Sequence, residues 1–155
     1  MPQLYLDCDG VLADFEVGAR KALGMPLDRF QARYGLGPMW GKLAKYPDFY
    51  VDLPELPGAR RLFDAVAHLD PIILTGLPRG NWAAPQKERW AAEHFPRTRI
   101  ITCMAVDKRN HCQSGDVLVD DTLKHRHLWE DAGGIFIHYR NAEQAIAELK
   151  DYFPL

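Results

Sequence analysis

Two acidic groups carry the chemistry this sequence offers. The first is Asp7-Cys8-Asp9-Gly10, directly after the short apolar run Gln3–Leu6. The second is Asp120-Asp121, which closes Gly115-Asp116-Val117-Leu118-Val119. In an extended segment, residues two apart project to one side. Asp7 and Asp9 are therefore expected to share a site at a strand's carboxyl end, with Cys8 pointing away. Asp120 and Asp121 are expected to emerge at the same sheet edge, where open parallel sheets bind their ligands. Three or four carboxylates gathered there repel one another unless a cation neutralises them. A hard, oxygen-rich set suits Mg²⁺, which takes one or two carboxylates, several waters and substrate phosphate oxygens. A lone D-x-D more often ends a strand and caps a helix. The second acidic group makes this pair a candidate site.

Other residues extend it. Leu74-Thr75-Gly76 ends another apolar run, and a Thr hydroxyl beside a Gly backbone N–H can hold phosphate oxygens, because Gly permits close approach. Lys108, before the fourth run, offers a point charge to phosphate and to a carboxylate. Lys87, downstream of Thr75, is its rival for the phosphate. Taken alone, Thr-Gly is a common strand ending and a single lysine a solvated one.

These residues need elements to position them. Gln3–Leu6, Pro71–Leu74, Arg99–Thr102, Asp116–Val119 and Gly134–His138 each read as a short buried strand. A helix opens at Pro57-Gly58, with Leu62, Phe63, Val66 and Leu69 on one face. Pro85 to His94 reads as a second, and Thr122 is expected to cap a third that runs through Asp131. Asn141 caps a last one, where Ala142, Ala145, Ile146 and Leu149 recur at helical spacing. Alternating strands and helices predict an α/β fold: a Rossmann-like parallel sheet of about five strands flanked by helices. Only the first connection breaks the pattern. From Phe15 to Pro54 there are helical pieces at Glu16–Leu23, Pro26–Tyr34 and Pro38–Lys45 and no strand. About forty residues is too long for a plain loop. Residues 15–54 are therefore expected to form a small helical cap on a core made of 1–14 and 55–155. Phe15, Trp40, Phe49 and Tyr50 are candidate pocket walls for a flat apolar group, although a subdomain of this size also needs such aromatics for its own core.

The ordered series DCDGVLADF, LTG, a lysine and GDVLVDD resembles the haloacid dehalogenase (HAD) superfamily along the whole chain. DGVLADFE, FYVDLPELPGARRLF and DK before SGDVLVDD are similar, more narrowly, to the 5′(3′)-deoxyribonucleotidase group. The resemblance implies that Asp7 is a nucleophile forming an aspartyl-phosphate and that Asp9 is the acid and then the base. It implies Mg²⁺ held by the Asp7 carboxylate, the Asp9 main-chain carbonyl and Asp120, with support from Asp121. It implies phosphate contacts from Thr75, Gly76 and Lys108, with Lys87 as the alternative lysine. The second carboxyl at Asp9 favours phosphoryl chemistry over dehalogenation. Two positions depart from the narrower group: Gly76 stands where serine is frequent, and Val106 where arginine is. The expected activity is that of a Mg²⁺-dependent phosphomonoesterase on a small soluble phosphate ester, a nucleoside monophosphate first among them. A phosphotransferase or phosphomutase of the same superfamily would use the same carboxylates, and a non-catalytic phosphate-binding HAD-like protein is the other alternative. A signalling receiver module also joins acids, Thr and Lys, but with its acidic pair early, its phosphoacceptor on a middle strand and no lid, whereas here the D-x-D comes first, the double Asp last and a long insertion follows the first strand.

The bulk properties agree with an ordinary domain. The chain has 155 residues, 47% hydrophobic and 26% charged, with a formal net charge of −2. That balance lacks the basic stripe of a nucleic-acid binder. No apolar run approaches the roughly 18 residues of a membrane span, and no secretory leader is visible. Three cysteines, an odd number, point to a reducing cytoplasm. Cys103, His111 and Cys112 lack a paired C-x-x-C and a fourth ligand for zinc. The sequence leaves the oligomeric state open.

Overall fold

Short runs of aliphatic residues build the sheet, and helices with one apolar face cover it. The computed structural model describes residues 1–155. The strands are β1 (Leu4–Leu6), β2 (Ile72–Gly76), β3 (Ile100–Cys103), β4 (Val117–Asp120) and β5 (Ile135–His138). The helices are α1 (Phe15–Leu23), α2 (Leu27–Tyr34), α3 (Leu36–Lys45), α4 (Ala59–Val66), α5 (Ala83–His94), α6 (Arg126–Asp131) and α7 (Ala142–Leu149). All five strands are parallel, in the order β3-β2-β1-β4-β5. The expected α/β sheet is thus present, with β1 at its centre.

Local chemistry moves the boundaries. Pro71 has no N–H for a ladder, so β2 starts at Ile72 and carries Thr75 and Gly76 to its end, opposite Thr102 and Cys103. Pro85 falls within the first turn of α5, where a missing N–H costs little, so that helix begins at Ala83. Asn141 does cap α7, in a reciprocal box with Gln144. Thr122 does not cap α6, which starts only at Arg126. Its N–H and hydroxyl are instead spent on Asp120 Oδ1, at 3.1 and 3.4 Å.

The two sheet faces bury separate cores. Leu4, Leu6, Val117, Val119 and Ile73 face the larger one with residues from α1, α4, α5 and α7. Tyr5, Leu74, Leu118 and Phe136 face a smaller one closed by Trp129 of α6. The helical segment between β1 and β2 joins the larger core through Leu23, Phe30, Met39, Leu43 and Phe49. No helix is long and apolar enough to cross a membrane.

Candidate active site

The strand order creates the site. The chain leaves central β1 toward β2 and β3, then returns to the other side for β4 and β5. A sheet whose order reverses in this way opens a crevice at its carboxyl edge. β1 and β4 pair with Leu6 opposite Val119. The next residue of each strand, Asp7 and Asp120, therefore stands side by side at the edge, and the Asp7 N–H donates to Val119 O at 2.9 Å. Asp121 follows. Carboxylate oxygens of Asp7, Asp120 and Asp121 all lie within 4.8 Å of one another. Asp116, at the opposite end of β4, is held away from them by the N–H groups of Gln3 and Gln113.

β1 ends at Leu6, so the link between Asp7 and Asp9 is a turn rather than continued strand alternation. The N–H groups of Leu12 and Ala13 both donate to Cys8 O, at 2.8 and 2.9 Å, and Cys8 is buried in the core. Gly10 sits at φ +81°, and a Cβ there would lie 1.9 Å from Asp121 Oδ2. Glycine at this position is what lets the turn reach Asp121.

Two buried lysines divide the acids between them. Lys108 donates to Asp7 Oδ1 at 3.1 Å and to Asp120 Oδ2 at 3.0 Å. Lys87 donates to Asp9 Oδ2 and Thr75 Oγ1, both at 2.7 Å, and to Gly76 O at 3.0 Å. Asp9 thus turns toward Lys87, and its side chain stands apart from the three-carboxylate group. Its Oδ1 is buried and has no hydrogen-bond partner. The Thr75 hydroxyl, fully buried, meets Lys87 and not the open cleft.

The electrostatics follow from this arrangement. Burial pushes the Asp7 carboxyl well above the usual carboxylate range; Lys108 opposes that shift, and Asp120, Asp121 and Asp9 add to it. Burial also lifts Asp121, with help from the Asp120 charge, to about 6. Burial alone would raise Asp120 as well, but Lys108 and the Thr122 N–H hold it below its ordinary value. The site is short of positive charge. An all-oxygen donor set with unrelieved negative charge fits a hard divalent cation, and the glycine cradle that admits Asp121 completes that fit.

A cleft of about 1210 Å³ opens over the strand ends. Asp7, Asp9, Gly76, Lys108 and Asp121 line its floor, while Phe15, Trp40, Tyr50 and Trp82 form an aromatic wall. Phe49, expected in that wall, does not line the cleft; it is buried behind it, with its ring 5.4 Å from Phe15 and 5.0 Å from Tyr50. Sequence reasoning missed Thr122 as the brace of Asp120. It also missed that Tyr50 stacks on Lys87, a contact between residues too far apart in sequence to leave a local pattern.

No family model matches the chain. Among curated proteins it is 26% identical to the cytosolic 5′(3′)-deoxyribonucleotidase of Homo sapiens, covering 77% of this chain and 70% of that protein. In structure it is similar to a HAD-superfamily hydrolase from Ehrlichia chaffeensis, with a TM-score of 0.58 at 10% identity over 98% of both chains. A hydrolase from Pseudomonas syringae aligns with a TM-score of 0.54 at 16% identity, over 99% of this chain and 100% of that one. The fold expected from the motifs is therefore the fold the chain has, and the similarity in sequence runs to a deoxyribonucleotidase.

Proposed function

We propose that this chain, which has the HAD fold, is a Mg²⁺-dependent phosphomonoesterase acting on a small soluble phosphate ester in the cytoplasm. Nucleoside (deoxy)monophosphates are the first substrates to try. The observation that carries the reading is the gathering of Asp7, Asp120 and Asp121 at the carboxyl edge of the sheet, with Asp9 held separately on Lys87. Similarity to a deoxyribonucleotidase supports the choice of substrate class. The Phe15 and Trp40 rings of the aromatic wall suit a planar base, while the Tyr50 ring is turned to Lys87. In this reading residues 15–54 form a cap on the core of 1–14 and 55–155 and exclude water when substrate is bound.

Asp7 is the nucleophile. Its Oδ1 is fixed by the Cys8 N–H at 2.9 Å and by Lys108, and the residue faces the cleft. A carboxylate oxygen of Asp7 bonds to phosphorus as the bond to the leaving oxygen breaks. Protonated Asp9 gives its proton to that oxygen. As carboxylate, Asp9 then takes a proton from water, whose oxygen attacks phosphorus, releasing inorganic phosphate and freeing Asp7. Mg²⁺, held by Asp7, Asp120, Asp121 and the Asp9 carbonyl, would neutralise charge on the transferring group. Lys108 keeps Asp7 aimed while Gly76 edges the phosphate position and Thr75 anchors Lys87.

Phosphate release from a panel of nucleoside monophosphates, sugar phosphates and an aryl phosphate tests this. Turnover with Mg²⁺ that stops in EDTA is expected, with nucleotides ranked highest. Folded protein that binds Mg²⁺ yet hydrolyses no ester would overturn the phosphatase reading.

Metal binding carries its own pH dependence. Both Asp7 and Asp121 are raised, Asp121 to about 6, and a cation binds the deprotonated forms. Protons therefore compete with the metal. Affinity is expected to weaken as pH falls through the Asp121 value, by roughly tenfold per pH unit for each proton displaced. Titration calorimetry on either side of that value checks it, and equal affinities would remove Asp121 from the ligand set.

A further inference from the structure

The acid–base carboxylate proposed above does not stand alone. Lys87 is 1% exposed, and all three of its N–H donors are used, on Asp9, Thr75 and Gly76. An ammonium so committed is a fixed post rather than a free charge for an incoming phosphate. Its remaining side meets the Tyr50 ring, with the Nζ 4.6 Å from the ring centroid. Tyr50 is itself held firmly. Its N–H donates to Gln86 Oε1 at 2.8 Å, and its ring lies 5.3 Å from Trp82, tilted by 30°. It is 2% exposed. Tyr50 belongs to the segment that follows α3, while Gln86, Lys87 and Trp82 belong to α5 and its entry.

We propose that Tyr50 is a positioning residue for the proton donor: its ring covers the Lys87 ammonium, which holds Asp9 Oδ2 and leaves Asp9 Oδ1 facing no protein partner. This rests on the reading of Asp9 as the acid and base. The ring supplies a face that attracts a desolvated cation without offering a competing acceptor. The hydroxyl takes no part. The same contact joins the helical segment to the catalytic floor, so a displacement of residue 50 is felt at Asp9 through a single lysine.

The test compares Tyr50→Leu with Tyr50→Phe in the full chain. Tyr50→Leu removes the ring, and kcat is expected to fall roughly tenfold with KM near that of wild type. Tyr50→Phe keeps the ring and is expected to restore kcat. A second readout is independent of turnover. The Lys87 ε-methylene signal, assigned through its loss in Lys87→Met, is expected upfield in wild type and Tyr50→Phe and shifted downfield in Tyr50→Leu. Loss of kcat in Tyr50→Phe equal to that in Tyr50→Leu would overturn the proposal, because the hydroxyl would then be acting. An unshifted Lys87 signal in wild type would overturn it as well. Should wild type show the shifted signal but hydrolyse no ester, the phosphatase reading fails and the Tyr50–Lys87 contact stands.

Discussion

Asp7→Asn is expected to abolish phosphate release, lowering kcat by at least about a thousandfold, while leaving the metal-free protein at least as stable as wild type. The two effects have one cause. Asp7 is 7% exposed and close to two other carboxylates, so its carboxyl is raised well above the ordinary range by burial and by Asp120, Asp121 and Asp9. A folded-state value above the unfolded one means that the fold prefers the protonated form. Stability is then lost as pH rises from the unfolded value toward the folded one, and the charged form carries that cost at neutral pH. Asparagine removes the charge and keeps an oxygen for the Cys8 N–H and for Lys108. It cannot attack phosphorus. Thermal denaturation in EDTA should therefore give a Tm equal to or above that of wild type. The rise in Tm that Mg²⁺ brings to wild type should shrink in the variant, because one ligand charge is gone. Retained turnover would remove Asp7 as nucleophile. A large loss of stability in EDTA would mean that the carboxylate is compensated in a way the Lys108 contact does not describe.

How much of this was legible follows from the range of each signal. The five strands, the helical insertion and the convergence of Asp7 with Asp120 and Asp121 rest on local apolar runs and on carboxylates placed at their ends. Such patterns survive in a single sequence. Element edges shifted by a residue or two because Pro71 withholds an N–H from the ladder and Pro85 is tolerated inside a helix's first turn. Thr122 read as a helix cap because Ser and Thr at such positions usually are. The carboxylate of Asp120, two residues back, offered its N–H and hydroxyl a stronger partner. The division of labour between the lysines was not legible. Lys87 and Lys108 both stand in polar stretches with an arginine close by, and only the fold brings one to Asp9 and the other to Asp7 and Asp120. Phe49 and Phe15 likewise differ by depth, a property that residue type does not encode.

Lys108→Met should act on stability in the opposite sense to Asp7→Asn. Methionine fills a similar volume but leaves Asp7 and Asp120, 3.1 and 3.0 Å from the ammonium in wild type, without their shared cation. Removing one partner of a buried ion pair typically costs about 3–5 kcal/mol. In a chain of this size that corresponds to a fall in Tm of roughly 10 °C in EDTA. Burial works against the Lys108 ammonium, but Asp7 and Asp120 outweigh it and raise its affinity for the proton. Its contribution is therefore fully present below the unfolded value of 10.5 and is lost only as pH rises through the folded one. The titration of Lys108 itself therefore adds no pH dependence to the loss across neutral pH. Mg²⁺ should recover part of it, since a site with three uncompensated carboxylates attracts a divalent cation more strongly than one that already holds an ammonium. The metal-induced rise in Tm is thus expected to be larger in Lys108→Met than in wild type, and smaller in Asp7→Asn. In the double variant Asp7→Asn/Lys108→Met, one of the stranded charges is also gone, so its Tm in EDTA should lie above that of Lys108→Met alone. A double variant no more stable than Lys108→Met would show that the ammonium is needed for Asp120 alone, and that Asp7 takes its orientation from the Cys8 N–H.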